Sequence, residues 1–374
     1  MPDIVVIGGG IVGAAAAYRL ARSGVQVTLV DRNDPGQATA AGAGIIAPGT
    51  SLRPLPAFYP IAARAMAFYP ELLAQLAEDG ETETGYEVVG SLFVASDEQE
   101  AARLDEVQRL MEERRDQGMP GIGEVRRLDG REARELFPAL ADLPGALHVP
   151  GSARLDGRLM RDALLRAAEK RGATMLRGDA RPVRDGERVT GVEVDGRRIA
   201  ADAVIIAGGA WSNALGEAIG LRIPVAPQRG QILHLDLPET DTSRWPIITG
   251  FHSHYMLTFP TSRVVAGATR EDGSGYDYRM TAGGVHEALS EALRLAPGLA
   301  PATLREVRIG LRPASPDHLP ILGAAPGLAN VYLATGHGPS GLQLGAYSGT
   351  VVADLARGEA VDIDLSPFAL ERFA

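Results

Sequence analysis

The first thirty residues limit the fold more than any other stretch of the chain. Ile4-Val5-Val6-Ile7 is a continuous apolar, β-branched run of the kind expected of a strand buried on both faces. It leads into Gly8-Gly9-Gly10-Ile11-Val12-Gly13 and then an alanine-rich helix, Ala14 to Arg22, which Gly24 ends. Val25 to Val30 makes a second strand that closes on Asp31. Strand, glycine turn, helix and strand together form the βαβ unit of a parallel sheet. In that setting Gly8-x-Gly10-x-x-Gly13 is a dinucleotide fingerprint. Gly8 allows the tight turn, Gly10 lets backbone approach a pyrophosphate, and Gly13 lets helix and strand pack closely. The helix N-terminus at Ile11 and Val12 offers unpaired N–H donors to the anion. Asp31, with Arg32 beside it, accepts from ribose hydroxyls, which disfavours a 2′-phosphate there. The competing reading is a glycine-rich turn with no ligand.

Composition narrows the class. A chain of 374 residues suits two domains around sizeable cores. Its 45% hydrophobic and 22% charged content is that of a globular protein, so disordered and fibrous classes drop out. A formal charge of −10 argues against a nucleic-acid partner, because phosphate neutralisation needs a basic face. The absence of cysteine excludes disulfides, thiolate metal sites, iron–sulfur clusters and a cysteine nucleophile. Lys170 is the sole lysine; a GC-rich genome or heat adaptation is the favoured reading of that bias, and it still limits any mechanism that calls for a lysine. The apolar stretch Ile4 to Ala17 looks like a signal-peptide core, but Asp3 stands where positive charge belongs and glycines interrupt it. No uninterrupted apolar run approaches the ~18 residues needed to cross a bilayer. The expectation is a soluble cytoplasmic protein with no integral membrane segment; the sequence leaves homo-oligomerisation open.

Further along, Ala57 to Leu76 reads as a helix and Tyr86 to Val94 as strand-like alternation. Leu104, Val107, Leu110 and Met111 form the apolar stripe of a charged helix with one solvated face. Arg158 to Arg171 is another helix, with Lys170 in its last turn where a cation complements the dipole. A strand ending at Ile206 runs into Ala207-Gly208-Gly209-Ala210-Trp211. Pro224 to Gly267 is β-rich, and Gly284 to Leu295 is helical. Strand Arg305 to Leu311 precedes Arg312 and Pro313, with the proline expected to stop the ladder. Strand Asn330 to Ala334 enters Gly336-His337-Gly338-Pro339-Ser340-Gly341 and a last helix to Ala356. Gly336-x-Gly338-x-x-Gly341 repeats the fingerprint, but too little chain follows for a second mononucleotide fold. This glycine turn is therefore expected to aim a helix dipole at the first cofactor. A fingerprint at the N-terminal end, with Ala207-Gly208-Gly209 ending a strand far downstream, suits FAD on a discontinuous domain.

Taken together, these blocks resemble the D-amino acid oxidase and glycine oxidase family of flavoenzymes, which includes D-amino acid dehydrogenases. Val5 to Asp31, Ala38 to Pro48 (ATAAGAGIIAP), Ala203 to Ser212 (AVIIAGGAWS), Pro227 to Gln231 and Gly310 to Leu342 (GLRPASPDHLPILG…GHGPSGL) carry the resemblance. It implies an α/β fold, with a discontinuous Rossmann-like FAD-binding domain and a smaller α+β substrate domain on a mostly antiparallel sheet. The boundaries expected are 1–85, 148–222 and 305–374 for the first, and 86–147 and 223–304 for the second. The resemblance places Ala40, Ala41, Gly42, Gly44 and Ile45 beside the pyrophosphate and ring, and Val183 against the adenine through its backbone. It sets Ala207, Gly208, Gly209 and Trp211 along the same cofactor. Gly338, Pro339, Ser340, Gly341, Leu342 and Gln343 then face the pyrimidine edge of the ring, where a helix N-terminus stabilises reduced-flavin charge.

Arg312 is the leading catalytic candidate. Alternation puts Arg308, Gly310 and Arg312 on one face of their strand, with Gly310 leaving space beside a flat ring. A guanidinium there holds a substrate carboxylate bidentately, as the family's arginine does; the alternative is a structural ion pair. The resemblance suggests that the Tyr255 phenol helps to hold the carboxylate and that His337 lines the site. His252 and His254 have metal-ligand spacing but no evident third ligand, so no metal is expected. Relatives that link flavin to cysteine or to an N-terminal histidine have no counterpart here, since the first histidine is His148. The FAD is therefore expected to be non-covalent. The implied reaction is oxidative deamination of a small D-amino acid or glycine, with hydride passing from Cα to flavin N5 and O2 as acceptor. GHGPSG lies nearer the dehydrogenase pattern, which keeps open a quinone or carrier as acceptor. Oxidation of N-methyl or cyclic amino acids, and a catalytically silent flavin subunit of a larger complex, are the other readings.

Overall fold

A computed structural model describes residues 3–374. The chain opens with β1 (Asp3–Ile7), α1 (Ile11–Arg22) and β2 (Gln26–Asp31), followed by the long helix α2 (Phe58–Glu78). Strands β3 (Ser91–Ala95), β4 (Arg126–Leu128) and β5 (Gly145–Val149) precede helix α3 (Gly157–Lys170) and β6 (Thr174–Arg177). Then come β7 (Ala203–Ile206), β8 (Ala226–Asp236), β9 (Ile247–Gly250), β10 (Tyr255–Phe259) and β11 (Arg263–Gly267). Helix α4 (Ala282–Leu295), β12 (Thr303–Ala314), β13 (Ile321–Ala324), β14 (Val331–Thr335) and α5 (Gly341–Ala356) complete the main elements.

Six strands form a sheet in the order β13-β14-β7-β1-β2-β6, parallel except for the edge strand β13. The unbroken apolar run of β1 follows from burial on both faces. Ile4 and Val6 pack beneath α1, α2, α3 and α5, whereas Val5 and Ile7 pack with Val192, Ile219 and Ile223 on the other side. Each such side chain contributes about 1.5–3 kcal/mol when fully buried. Helices α1 and α5 lie so close that a Cβ at Gly349 would run into the Val12 carbonyl. The turns after β1, β2, β7 and β14 all open at the carboxyl edge of this sheet, where the strand order reverses and α/β sheets bind their ligands. Both glycine fingerprints thus belong to one sheet and one edge.

An eight-stranded sheet, β12-β8-β11-β10-β9-β3-β5-β4, is antiparallel apart from the β9–β3 pair. Leu233, Leu235, Met256 and Val264 pack with Ala288, Ala292 and Leu295 of α4. Ile232, Leu257 and Val265 face the opposite way, toward Ala43 and Ile45 of the first domain. The period-2 alternation of β8 thereby separates a helix-covered face from the face that meets the cofactor-binding part.

Two details differ from the sequence expectations. The ladder does not stop at Pro313: it runs to Ala314, with Pro227 opposite Pro313. Neither proline has an N–H to give, and their pairing falls at a non-hydrogen-bonded position where none is needed. Residues 305–314, drawn into the flavin-binding part, are paired with β8 along the eight-stranded sheet, and the chain rejoins the first sheet at β13. Lys170 lies at the surface end of α3 and pairs with Glu81 at 2.7 Å.

Candidate active site

A cavity of about 1120 Å³ runs along the carboxyl edge of the first sheet to the inner face of the second. It exceeds the usual range of drug-sized pockets, roughly 300–1,000 Å³, and so has room for a dinucleotide with a small second molecule. Its first half is the fingerprint. Gly8 turns at φ +111°, a left-handed conformation that favours glycine, and its N–H donates to the Val30 carbonyl at 2.8 Å. Asp31 Oδ2 accepts from the Gly9 N–H at 2.5 Å, while Oδ1 accepts from the Asn33 N–H and from Gln37. The carboxylate thus closes the glycine loop as well as lining the cavity. No side chain caps α1 at Gly10, although the Ile11 N–H, expected to be free for an anion, donates to Thr39 Oγ1 at 3.0 Å.

Gly8, Gly10, Ile11, Val12, Asp31, Arg32, Ala41, Gly42, Gly44, Ile45, Ala207, Gly208, Gly209 and Trp211 line this cavity, as do Gly338 to Gln343. Gly13, Ala40 and Val183 do not. Gly13 packs against the Gly8 carbonyl, as expected of its spacing role. The Ala40 carbonyl points to Arg158 Nε at 3.0 Å, and the Val183 carbonyl accepts from Thr190. Gly178 to Arg181 line the cavity, and Val183 lies just beyond them on the strand that pairs with residues 188–194.

The far end is built by strand register. Gln228 pairs with Arg312, Gly230 with Gly310, and Tyr255 with Gly267. The Arg312 guanidinium lies over Gly230, where a Cβ would come within 2.5 Å of Cζ and both terminal nitrogens. Nη1 donates to the Thr269 carbonyl at 2.8 Å and to Gln228 Oε1 at 3.5 Å, so neither partner is an anion. Burial lowers the Arg312 pKa from its ordinary value. The Tyr255 phenol, over Gly267, faces this guanidinium; burial raises its pKa, and Arg312 pulls the other way. His337 is 2% exposed, with Nε2 unpartnered, and burial lowers its pKa to about 4, so it is neutral near pH 7.

The residues present fit a flavin dinucleotide. Two helix N-termini without side-chain caps, those of α1 and α5, end in one cavity, and Gln343 Nε2 is buried there with no partner. Gly310 brings β12 so near the first domain that a Cβ would sit 2.9 Å from the Ala41 methyl. The model of FAD dependent oxidoreductases, the DAO family, matches residues 3–355. The chain belongs to that family. It is 43% identical over 369 residues to an uncharacterised oxidoreductase of Bacillus subtilis, YurR, covering 98% of each chain. It is 31% identical over 377 residues to a glycine oxidase of Geobacillus kaustophilus, covering 99% of this chain and 97% of the relative. Among solved structures, iminodiacetate oxidase from Chelativorans sp. BNC1 superposes with a TM-score of 0.94 at 45% identity, covering 98% of each chain. The cofactor of this DAO-family protein is thus FAD, and its chemistry is oxidoreduction.

Other cavity residues carried no motif. Arg53 donates to Ser340 Oγ at 2.6 Å, and Arg270 follows the strand that ends at Gly267. Gly230 had a readable signal, since a glycine inside an alternating strand marks a close approach. His252 and His254 line the same cavity but turn to separate carboxylates, Glu100 at 3.1 Å and Glu287 at 3.2 Å. Among the described residues no helix is long and apolar enough to cross a membrane.

Proposed function

We propose that this DAO-family protein oxidises the Cα–N bond of a small amino acid, glycine or a D-amino acid, or an N-substituted glycine. The observation that carries this reading is Arg312: a partly buried guanidinium lining the cavity beside Tyr255, with no anion among its hydrogen-bond partners within the described residues. A carboxylate completes it, in the bidentate geometry that suits guanidinium. Bound FAD supplies the two-electron acceptor for the Cα–H. The chain's own residues position the substrate. Arg312 and Tyr255 hold the carboxylate, and the positive surroundings favour the amine in its neutral form. Among the described residues no carboxylate side chain lines the cavity beside Arg312, and hydride transfer from Cα needs no base there, so orientation carries the reaction. The imino acid released then hydrolyses in water. Gly8 to Val12, Asp31 and Gly338 to Gln343 hold the cofactor without a covalent link.

Similarity to a glycine oxidase and to an iminodiacetate oxidase supports an oxidase that uses O2 and accepts a secondary amine. The test is anaerobic bleaching of the FAD-loaded protein by glycine, sarcosine, iminodiacetate and the D- and L-amino acids in turn. Rapid return of the yellow colour on admitting air marks an oxidase; slow return unless a quinone is added marks a dehydrogenase. Failure of every amine to bleach the flavin would overturn the reading.

A further inference from the structure

The end of the cavity beside Arg312 gathers more positive charge than one carboxylate can balance. Arg53, Arg270 and Arg312 all line it. Arg312 is bonded to a carbonyl and an amide oxygen, and Arg53 to the Ser340 hydroxyl. Burial lowers the Arg53 pKa, and the charges of Arg270 and Arg312 push it the same way. Arg270 is exposed at the cavity wall, and among the described residues its side chain makes no hydrogen bond or ion pair. The nearby acid Glu271 is occupied: its oxygens accept from Arg229, Gln231 and Thr269. The acids that do line the cavity lie at its other end, where Asp31 closes the glycine loop and Asp34 and Asp179 pair with Arg32. Tyr255 and His337 are neutral there and add no countercharge. Arg53 and Arg312 are partly desolvated and Arg270 stands exposed beside them, so like charges gather at one end of the cavity and an anion placed among them relieves their repulsion.

We propose that Arg270 and Arg53 form a second carboxylate subsite, so that the preferred substrate is an amine carrying two carboxylates. This rests on the reading above, in which Arg312 and Tyr255 hold the first carboxylate. The second can sit beyond the nitrogen, as in an N-carboxymethyl amine, or on the side chain, as in aspartate. The shared chemistry is a dicarboxylate whose two charges are separated by the oxidisable C–N bond or its neighbour. A guanidinium fork without a resident partner suits such a group, because each arm adds charge-assisted hydrogen bonds.

The test uses the FAD-loaded protein and pairs of amines that differ by one carboxylate: iminodiacetate against sarcosine, and aspartate of either hand against the matching alanine. The expected result is a kcat/KM for the dicarboxylate about ten- to hundred-fold above its partner in at least one pair. The pair that shows it locates the second carboxylate. Arg270→Gln and Arg53→Gln should each shrink that ratio, chiefly by raising KM for the dicarboxylate. Calorimetric titration with malonate and acetate, which cannot react, reads the same preference without turnover, and Tm shows whether each variant is folded. The proposal is overturned if neither pair shows a preference, or if both variants leave the ratio and the malonate affinity as in the parent. If monocarboxylic amines bleach the flavin in that case, only the second subsite fails. If no amine does, the reading of Arg312 fails with it.

Discussion

Gly230→Ala isolates the seat of Arg312 from the rest of the fold. A Cβ at residue 230 would come to 2.5 Å from Cζ, Nη1 and Nη2 of Arg312. Non-bonded carbon contacts settle near about 3.5–4.0 Å, so the guanidinium must lift by roughly 1 Å. Its bond to the Thr269 carbonyl, 2.8 Å long, stretches or breaks, and its alignment with Tyr255 goes with it. Residue 230 sits in the regular strand β8 with no positive φ, and the obstructing atoms are the tip of a flexible side chain, so the backbone accepts alanine. Losing one hydrogen bond costs about 1 kcal/mol, which the better strand preference of alanine partly offsets. A displacement of about 1 Å at a substrate-positioning group costs on the order of a hundredfold in rate. The assay is kcat/KM for the best amine of the anaerobic screen, together with Tm and FAD content of the purified variant. The expected outcome is a near-parental Tm, full flavin loading and a large loss of efficiency. A Gly230→Ala variant that is fully loaded and as efficient as the parent would refute the seating of Arg312 over Gly230 as the source of substrate positioning.

Arg312→Ala removes the charge-assisted pair itself and should lower kcat/KM about ten- to hundred-fold, measured with the same amine; unchanged efficiency would remove Arg312 from the site. Asp31→Ala takes the acceptor from the Gly9 and Asn33 N–H groups, at about 1–3 kcal/mol for a charged acceptor, and should weaken FAD retention, read by fluorescence of released flavin. A variant that holds FAD as tightly as the parent would sink that role. Burial lowers the pKa of His234 to about 3 and that of His337 to about 4 from an ordinary 6.5. Below pH 6.5 the unfolded chain therefore takes up protons that the folded chain refuses, and stability falls as pH drops from 6.5 toward 4. The two histidines contribute roughly 3–5 kcal/mol each over the full range. His234→Asn should flatten the fall in Tm between neutral and mildly acid pH; an unaltered acid limb would show that this histidine does not carry it.

Much of the fold was legible because periodicity is local. The β-branched run Ile4 to Ile7 could only be a strand covered on both faces, and it is the strand next to the sheet's centre. Alternation along residues 305–312 put Gly310 and Arg312 on the same face, and both reach the cavity. Expectations weakened where they relied on a neighbour in space. Pro313 reads as a ladder stop unless Pro227 is known to stand opposite. Val183 was expected against the adenine, but Gly178 to Arg181 are the residues of that stretch at the cavity wall, which spacing along the chain does not show.

The amino-acid sequence alone determined the βαβ start, the glycine turns and the arginine that faces inward. Each depends on φ/ψ preferences and on which face a side chain takes within one element. Only the tertiary structure decided that the turns at Gly8 and Gly336 share an edge, through the β14-β7-β1 order. It alone brought Arg53, Arg270 and Arg312 to one end of one cavity. These residues are linked by strand register and sheet order rather than by spacing along the chain, and charges distant in sequence interact only once packing has set them side by side.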